Sequence, residues 1–265
     1  MTSAPQLLAG KRLLITGVVN TDSIAYATAA AAVEAGAKIL LSSLGRDIEH
    51  TRNTAQTLND VDVIEADLTE PDDVNSLTDH LQDRWGHLDG VLHAVAFAPR
   101  EALSESFLDA SIDPVARAFH TSVHTYATLA RLLRNLAPPT GGSLVGLDFD
   151  ASRAWPVYNW MGVCKSALES ANRYVARDLG RHNIRANLIA AGPLHTRAAG
   201  AIGSFDRLLD AWEHQSPMDW NPHDATPVAD TTIFLLSDLA RMITGEILHV
   251  DGGYHAMAAH LDTPA

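Results

Sequence analysis

The sequence has little cysteine and no long apolar run, and each absence excludes a class of protein. Its 265 residues include one cysteine, Cys164, so an intramolecular disulfide framework is impossible. Cys164 lies among apolar residues, which predicts a buried thiol. No apolar run approaches the roughly 20 residues that span a bilayer, and the N-terminus lacks a charged start followed by an apolar core. We therefore expect a cytoplasmic protein with no membrane span.

Positive charge is also scarce. The chain carries 19 Lys and Arg residues against 32 Asp and Glu residues, for a formal net charge of −13, and its basic residues are scattered. A nucleic-acid groove needs a clustered basic surface, so we expect no nucleic-acid partner. With 46% hydrophobic residues, a chain of this length can bury one large core. We expect a single domain over residues 1–265.

The three-glycine turn of many dinucleotide-binding folds is absent as well. After an apolar strand at 12–16 the chain reads GVVNTDSIA, in which Gly17 permits a tight turn. Ser23 is placed to cap an Ala-rich helix over 23–36, whose N-terminal amides would face an anion such as a pyrophosphate. Many α/β turns begin with glycine, however, so this loop alone is a weak indication of nucleotide binding.

Strand and helix patterns alternate along the rest of the chain. Further strands are predicted at 38–42, 61–65, 88–97, 143–147, 184–190 and 246–250, and further helices at 47–58, 71–85, 112–136 and 227–237. Another helix is predicted within residues 149–169, with Pro156 in its first turn. This spacing is typical of repeated βα units, so we predict an α/β fold with a parallel sheet.

The end of the second strand does not decide which dinucleotide would bind. It reads Ser43, Leu44, Gly45, Arg46, with no acid to hold a ribose diol and one Arg that could meet a 2′-phosphate. Asp67, just after the third strand, is placed to accept a hydrogen bond from an adenine amino group.

Tyr158 and Lys165 are the candidate reactive pair. They lie seven positions apart, close to two helical turns, which places the phenol and the ammonium on one side of a helix. A phenol can donate to a carbonyl that gains negative charge, and a nearby ammonium favours the anion and holds polar ligands. This is the chemistry of a reductase. A packing helix with one buried Tyr and one surface Lys would show the same spacing.

Two other patterns have both a functional and a structural interpretation. His120 and His124 have the spacing of metal ligands, but no acid or cysteine joins them, and we predict no metal site. Residues 197–215 read as a short amphipathic lid over an apolar pocket or, equally, as a surface helix packed on the core.

Several segments together resemble the short-chain dehydrogenase/reductases, and among them the enoyl-acyl carrier protein reductases, most closely the mycobacterial type. These segments are TGVVNTDSIA, LDGVLHAVAF, GLDFDASRAWPVYNWMGVCKSALES, RANLIAAGPLHT, DATPVA and GEILHVDGGYH. Ordinary members of the superfamily place Tyr and Lys four apart, whereas a seven-residue separation with a Phe upstream, here Phe149, marks the enoyl reductases. The resemblance covers nearly the whole chain.

The resemblance implies a Rossmann-type, doubly wound sheet in three α/β/α layers, with a substrate lid at about 197–220. It implies NADH-dependent reduction of the 2,3-double bond of a 2-trans-enoyl thioester, carried by acyl carrier protein or CoA, in fatty-acid elongation. It also implies a homotetramer. NADPH is not excluded, because Arg46 remains near the ribose position.

Residue roles follow from matching positions. Tyr158 would hydrogen-bond the thioester carbonyl, Lys165 would hold the nicotinamide ribose, and Phe149 would lie beside the nicotinamide and the reacting double bond. The substrate positions are Phe149, Tyr158 and Met161. The matching cofactor positions are Gly17, Ser23, Ile24, Leu44, Asp67, Leu68, Val95, Ala96, Lys165, Leu194 and Thr196.

The chain departs from the family pattern in places that bear on its substrate. Ala94, Val95 and Ala96 stand where the family usually has Ser-Ile-Gly, and the lid is shorter than in the mycobacterial type. Two other functions stay open at this point. One is a ketone or alcohol oxidoreductase of secondary metabolism, and the other is a non-catalytic cofactor-binding protein, against which the intact Tyr158 and Lys165 argue.

Overall fold

A computed structural model describes residues 6–103, 106–203 and 205–258. Its centre is a seven-stranded parallel sheet with the strand order β3-β2-β1-β4-β5-β6-β7. The strands are β1 Arg12–Thr16, β2 Lys38–Ser43, β3 Val63–Glu65, β4 Gly90–His93, β5 Gly142–Asp148, β6 Ile184–Ala191 and β7 Ile247–Val250. The order reverses between β1 and β4, which opens a crevice at the carboxyl ends of the strands. The predicted doubly wound sheet is confirmed.

Helices cover both faces of this sheet. They are α1 Ile24–Glu34, α2 Ile48–Ala55, α3 Pro71–Trp85, α4 Ile112–Phe119, α5 Thr125–Leu136, α6 Asn159–Leu179, α7 Asp206–Gln215 and α8 Thr226–Leu236. The apolar cluster on one face includes side chains of α1 and α8, and the cluster on the other includes side chains of α3, α5 and α6. The three-layer arrangement is therefore also confirmed. Within the described residues, no helix is long and apolar enough to cross a membrane.

Local chemistry explains where several elements begin and end. The backbone N–H of Tyr26 donates to Ser23 Oγ at 3.1 Å, which caps α1 as predicted. Helix α3 keeps its predicted bounds, with Pro71 in its first turn and Gly86, at φ +74°, directly after its end. Pro156 is a correction, because α6 begins only at Asn159 and Pro156 lies in the preceding turn.

Strand β4 is shorter than the predicted strand at 88–97, because its chain leaves the sheet after His93. Side chains replace strand partners there. The Ala94 N–H donates to Thr16 Oγ1 at 3.0 Å, and the Phe97 N–H donates to Ser122 Oγ at 3.0 Å. The released residues form a wall of the crevice rather than a continuation of the sheet.

The predicted helix over 112–136 is divided by a π-helical turn, His120–His124, which separates α4 from α5. Periodicity alone does not reveal such a turn. It places Ser122 Oγ where it bonds both the N–H and the C=O of Phe97, at 3.0 and 3.1 Å. The turn therefore fixes the loop that follows β4.

A buried polar contact joins three elements behind the sheet. Tyr126 O–H on α5 donates to Asn172 Oδ1 on α6 at 2.7 Å, and Asn172 Nδ2 donates to the carbonyl of Glu246 before β7 at 3.2 Å. Tyr126 and Asn172 are fully buried. Removing the phenol oxygen would leave the amide oxygen of Asn172 in the core without a donor, which is costly.

We predict that Tyr126→Phe lowers the free energy of unfolding by about 1–3 kcal/mol. Urea unfolding measures this. Tyr26→Phe is the matched control, because the Tyr26 hydroxyl makes its hydrogen bond, with Thr57 Oγ1, at the protein surface, and its change should stay within about 0.5 kcal/mol. Equal stability of the two variants would contradict the structural role of the Tyr126 contact.

Candidate active site

A cavity of about 700 Å³ occupies the crevice at the carboxyl ends of the strands. The loop after β1, the ends of β2 and β5, the residues after β3 and β4, the start of α6 and the segment after β6 form its wall. All of the site residues predicted from the sequence lie on this wall. They are Gly17, Ser23, Ile24, Leu44, Asp67, Leu68, Val95, Ala96, Phe149, Tyr158, Met161, Lys165, Leu194 and Thr196.

The loop after β1 has the chemistry of a phosphate cradle. Gly17 has φ +81°, and a Cβ added there would lie 2.1 Å from the carbonyl oxygen of Ala94, so a larger residue would force the loop away from β4. The N-terminus of the eleven-residue helix α1 follows at Ser23. Asn20 Oδ1 is buried at this point with no hydrogen-bond partner among the described residues. The N–H groups at the helix N-terminus fit an anion, and Asn20 Oδ1 fits a hydrogen-bond donor beside that anion.

Two acids flank the end of β2, and the sequence analysis missed both. Asp47 lies in the cavity wall with a 12%-exposed side chain and pairs with Arg197 Nη1 at 2.8 Å and Arg46 Nε at 3.4 Å. Glu65 lies opposite Ser43 in the sheet, and a Cβ added at Gly45 would lie 2.4 Å from Glu65 Oε1. The sequence could have indicated Asp47, because it directly follows Arg46. Glu65 is distant in sequence and reaches the end of β2 only because β3 pairs with β2.

Asp67 is held in the cavity wall by its own turn. Its Oδ1 accepts hydrogen bonds from the N–H of Thr69 at 2.9 Å and from Thr69 Oγ1 at 2.6 Å. Its own backbone N–H donates to Asp73 Oδ2 at 2.8 Å. The carboxylate therefore has one preferred orientation at the end of β3, beside Leu68.

Tyr158 lies at the first residue before α6, against Phe149. The two ring centroids are 5.1 Å apart, and Phe149 also contacts Trp155 and Trp212 at 5.2 and 5.6 Å. Burial raises the pKa of the Tyr158 phenol above its ordinary value, and the negative charge of Asp148 raises it further. The phenol is therefore a protonated hydrogen-bond donor at neutral pH. The sequence analysis instead expected the nearby ammonium of Lys165 to favour the ionised phenol.

Lys165 is buried rather than a surface residue, which removes the structural alternative for the Tyr158 and Lys165 spacing. Its side chain is 7% exposed, and its Nζ donates to the carbonyl of Leu147 at 2.8 Å. The carboxylate of Asp148 lies 3.9 Å from Nζ. Burial lowers the pKa of Lys165, and the charge of Asp148 opposes this shift.

Asp148, the last residue of β5, is a site residue that the sequence analysis did not identify. Its side chain is fully buried, and neither carboxylate oxygen has a hydrogen-bond partner among the described residues. Burial raises its pKa to about 7, against the lowering effect of Lys165. In the sequence it is one acid in the run GLDFDAS, and nothing there distinguishes it from the exposed acids elsewhere.

Small and apolar side chains complete the wall beside the aromatic residues. Met161 is 6% exposed on α6 and packs with Ala118, Val123 and Cys164, whose thiol is buried as predicted. Ala96 is exposed on the loop after β4. Thr196 Oγ1 accepts a hydrogen bond from the Ala199 N–H at 3.2 Å. No group of three or more metal-ligating side chains occurs in the described part of the chain, and His120 and His124 are 5.4 Å apart between ring centroids.

The segment after Thr196 has features of both structures predicted for residues 197–215, the helix packed on the core and the apolar cover of a pocket. On one side it is anchored, because Trp212 of α7 is 2% exposed, donates to the Asp251 carbonyl at 3.0 Å and stacks on Tyr254 at 3.8 Å. On the other side it lines the cavity with apolar side chains, which are Ala199, Ile202, Phe205 and Leu208.

Comparison with known proteins agrees with this geometry. Residues 17–255 match the family described as Enoyl-(Acyl carrier protein) reductase. The Enoyl-[acyl-carrier-protein] reductase [NADH] of Mycolicibacterium smegmatis is 39% identical over 262 residues, covering 93% of this chain and 97% of the relative. The protein of the same name from Mycobacterium avium is 41% identical over 260 residues, with the same coverage. A relative from Aquifex aeolicus, also named as an NADH enoyl-[acyl-carrier-protein] reductase, is 38% identical over 253 residues and covers 95% of this chain and 93% of the relative.

The raised pKa of Asp148 generates a prediction about stability. A folded-state pKa of about 7, above the ordinary 3.8, means that the folded protein holds this proton more tightly than the unfolded chain. The resulting stability is complete below about pH 4 and is lost as the pH rises through about 7. In Asp148→Asn this loss is absent.

We therefore expect the unfolding free energy of Asp148→Asn, relative to that of the unsubstituted protein, to increase with pH between these limits. The slope has an upper bound of about 1.4 kcal/mol per pH unit. Urea unfolding at a series of pH values measures it, with the exposed Asp79→Asn as control. Parallel pH profiles for the unsubstituted protein and Asp148→Asn would show that Asp148 has an ordinary pKa.

Proposed function

The chain belongs to the enoyl-acyl carrier protein reductase family of the short-chain dehydrogenase/reductases, and we propose that it reduces the 2,3-double bond of a 2-trans-enoyl thioester with NADH. The observation that carries this proposal is the meeting of Tyr158, Lys165 and Phe149 on one wall of the cavity. The other end of the cavity holds the glycine turn and the N-terminus of α1. A single chamber thus provides for both a dinucleotide and an acyl substrate.

The bound cofactor supplies a hydride, which with a proton converts the double bond of the substrate to a single bond. Tyr158 donates a hydrogen bond to the thioester carbonyl oxygen, where negative charge develops when hydride reaches C3. Its raised pKa keeps the phenol protonated for this purpose. Lys165 would hold cofactor hydroxyls through the donors not used by the Leu147 carbonyl. Phe149 limits the orientations of the reacting groups because Trp155 and Trp212 hold its ring.

A lid over residues 197–220 belongs to this proposal, within a single reductase domain over residues 1–265. The apolar side chains of Ala199, Ile202, Phe205 and Leu208 cover the cavity, where they would keep water from competing for the developing charge. Trp212 holds the lid helix α7 against Tyr254, so the apolar side is presented to the cavity. Ala199 offers less apolar wall than a larger residue would, which limits the acyl length that gains from burial.

The thioester is carried by acyl carrier protein in our proposal, as the names of the relatives state for those proteins. This assigns the reaction to fatty-acid elongation. A cytoplasmic location agrees with the single buried thiol, since disulfides are rare in that compartment. The two alternatives, a ketone or alcohol oxidoreductase and a non-catalytic protein, have less support, because Phe149 beside a protonated Tyr158 matches the enoyl reaction.

The assay that tests the function follows loss of NADH absorbance with a 2-trans-enoyl thioester and, separately, with a 3-ketoacyl thioester. Consumption with the first substrate alone supports the proposal, and consumption with the second alone supports the ketone reductase.

In this assay Tyr158→Phe should lower kcat by about 100-fold, as removal of one oxyanion donor does, with little change in NADH binding. Lys165→Ala should mainly weaken NADH binding. Full activity of Tyr158→Phe would rule out its assigned role, and Tyr26→Phe, outside the cavity wall, serves as the control.

We propose NADH rather than NADPH because of the charges at the end of β2. A 2′-phosphate there would lie near the carboxylates of Asp47 and Glu65, and the guanidinium groups of Arg46 and Arg197 already pair with Asp47. Two like unit charges about 4 Å apart repel by about 1 kcal/mol in bulk water and by more near a protein surface. The arrangement therefore disfavours the extra phosphate.

We predict that Glu65→Gln and Asp47→Asn each reduce the preference for NADH over NADPH by about fivefold, which corresponds to about 1 kcal/mol. Titration of both cofactors against each variant measures this ratio. Asp79→Asn, an exposed change on α3 outside the cavity wall, is the control. Tighter binding of NADPH than of NADH by the unsubstituted protein would overturn the cofactor assignment.

A homotetramer is supported by apolar side chains left exposed on α4 and α6. Ile112 and Phe119 are 74% and 46% exposed on α4, and Val163 and Tyr174 are 42% and 60% exposed on α6. Near the last strand, Leu239 and Met242 are 59% and 90% exposed. Two such surfaces on one protomer suit packing across two different two-fold axes.

Light scattering should therefore report a tetramer, and Val163→Asp should reduce it to a smaller species by placing a charge in one interface. Ser76→Asp, an exposed change on α3, which carries none of these apolar side chains, is the control. A monomer at micromolar concentration for the unsubstituted protein would contradict the assembly.

A further inference from the structure

The mechanism proposed above leaves the buried carboxylate of Asp148 unused, although it lies in the cavity wall beside the reactive pair. Burying a carboxylate without hydrogen bonds is costly, and buried polar groups in proteins nearly always have partners. Asp148 has two oxygens without a partner among the described residues.

The geometry shows which residue Asp148 acts on. The distance of 3.9 Å to Lys165 Nζ is too long for a hydrogen bond, so the interaction is one of charge. Lys165 is anchored by one hydrogen bond, to the carbonyl of Leu147, the residue before Asp148. Leu147 and Asp148, the last two residues of β5, thus both hold the Lys165 ammonium in place. Leu147 does so through its backbone carbonyl and Asp148 through its charge.

The groups around Asp148 act on its proton in opposite directions. From α6, Glu169 faces it as a like charge, and Asp150 does so from the loop after β5, so both raise its pKa. Lys165, as an opposite charge, lowers it. The remaining titratable groups nearby are buried and neutral at neutral pH, and they are Tyr126 on α5, His93 on β4, and Tyr158 and Cys164 near the start of α6.

We propose that Asp148 is a positioning residue that holds Lys165 as an ammonium facing the cavity, and that the proton on its carboxyl group couples cofactor binding to pH. This rests on the proposed function, because Lys165 must bind the cofactor for its charge and position to matter. When Asp148 is ionised, its attraction keeps Lys165 charged and in place. When Asp148 is protonated, that attraction is lost while the burial of Lys165 remains.

The ionised form of Asp148 is thus the form that binds NADH tightly. By linkage, NADH binding lowers the proton affinity of Asp148, so binding releases protons at pH values near the pKa of about 7. Affinity for NADH should weaken as the pH falls through this value. A residue that only fills space would show no such dependence.

The first experiment measures the dissociation constant of NADH by fluorescence from about pH 6 to about pH 8, on either side of the Asp148 pKa. The unsubstituted protein should bind about three- to tenfold more tightly at the upper limit, because one proton changes affinity by no more than tenfold per pH unit. Asp148→Asn should bind with a nearly constant affinity close to the weaker, low-pH value. Its KM for NADH should rise while kcat changes little.

The matched control is Asp150→Asn, two residues further along, in the loop after β5. Asp150 raises the pKa of Asp148, so this variant should keep the pH dependence with its midpoint shifted to lower pH. If Asp148→Asn does not fold, calorimetry of NADH binding to the unsubstituted protein decides the question. Performed near pH 7 in two buffers of different ionisation enthalpy, it should report the release of a fraction of a proton per NADH.

The outcomes separate this inference from the proposed function. If NADH fails to bind at any pH, the cofactor assignment is wrong. If NADH binds but Asp148→Asn retains the pH profile of the unsubstituted protein, or calorimetry finds no proton release, the role of Asp148 is wrong and the cofactor assignment stands.

Discussion

The burial of the Lys165 ammonium at the carboxyl end of β5 is the constraint on which the rest of the site depends. A buried cation is stable only where backbone oxygens and a counter-charge meet it, and here the Leu147 carbonyl and Asp148 do so. Both groups belong to a central strand whose position is set by pairing with β4 and β6. The reactive end of the cavity is therefore built into the sheet rather than into a flexible loop.

Electrostatics differ between the two ends of the cavity. Around Lys165 the groups are buried, and their own burial keeps the Tyr158 phenol protonated and raises the Asp148 pKa to about 7. At the end of β2 the charges are partly exposed, and Asp47 pairs there with two arginines. Buried charges act strongly over short range, whereas exposed charges are screened. This difference agrees with the proposed division of the cavity into a reactive end and an end that discriminates between cofactors.

Aromatic packing joins Tyr158 to helix α7 of the proposed lid. Phe149 contacts both Tyr158 and Trp212 of α7, and Trp212 stacks on Tyr254 after β7. Stacked and tilted ring pairs of this kind resist rotation because their neighbours fill the space around them. The orientation of Phe149 and the position of the lid are therefore not independent, and a change that loosens one ring is felt at the others.

The sequence by itself determined the layout of the fold. Apolar runs and helix caps are local, so the strands, the order of βα units, the bounds of α3 and the cap at Ser23 were all readable from it. The resemblance of its motifs led to the family, and the comparisons confirmed that. It also led to the residues of the cavity wall, whose roles remain predictions.

Only the tertiary structure decided what depends on residues far apart in the chain. Glu65 reaches Gly45 through strand pairing, Arg197 reaches Asp47 across 150 residues, and the start of α6 at Asn159 moves Pro156 out of the helix. Asp148 resembles any other acid until β5 buries it beside Lys165. The physical reason is that burial and the neighbourhood of charges set a pKa, and neither is encoded in the residues next to it in sequence.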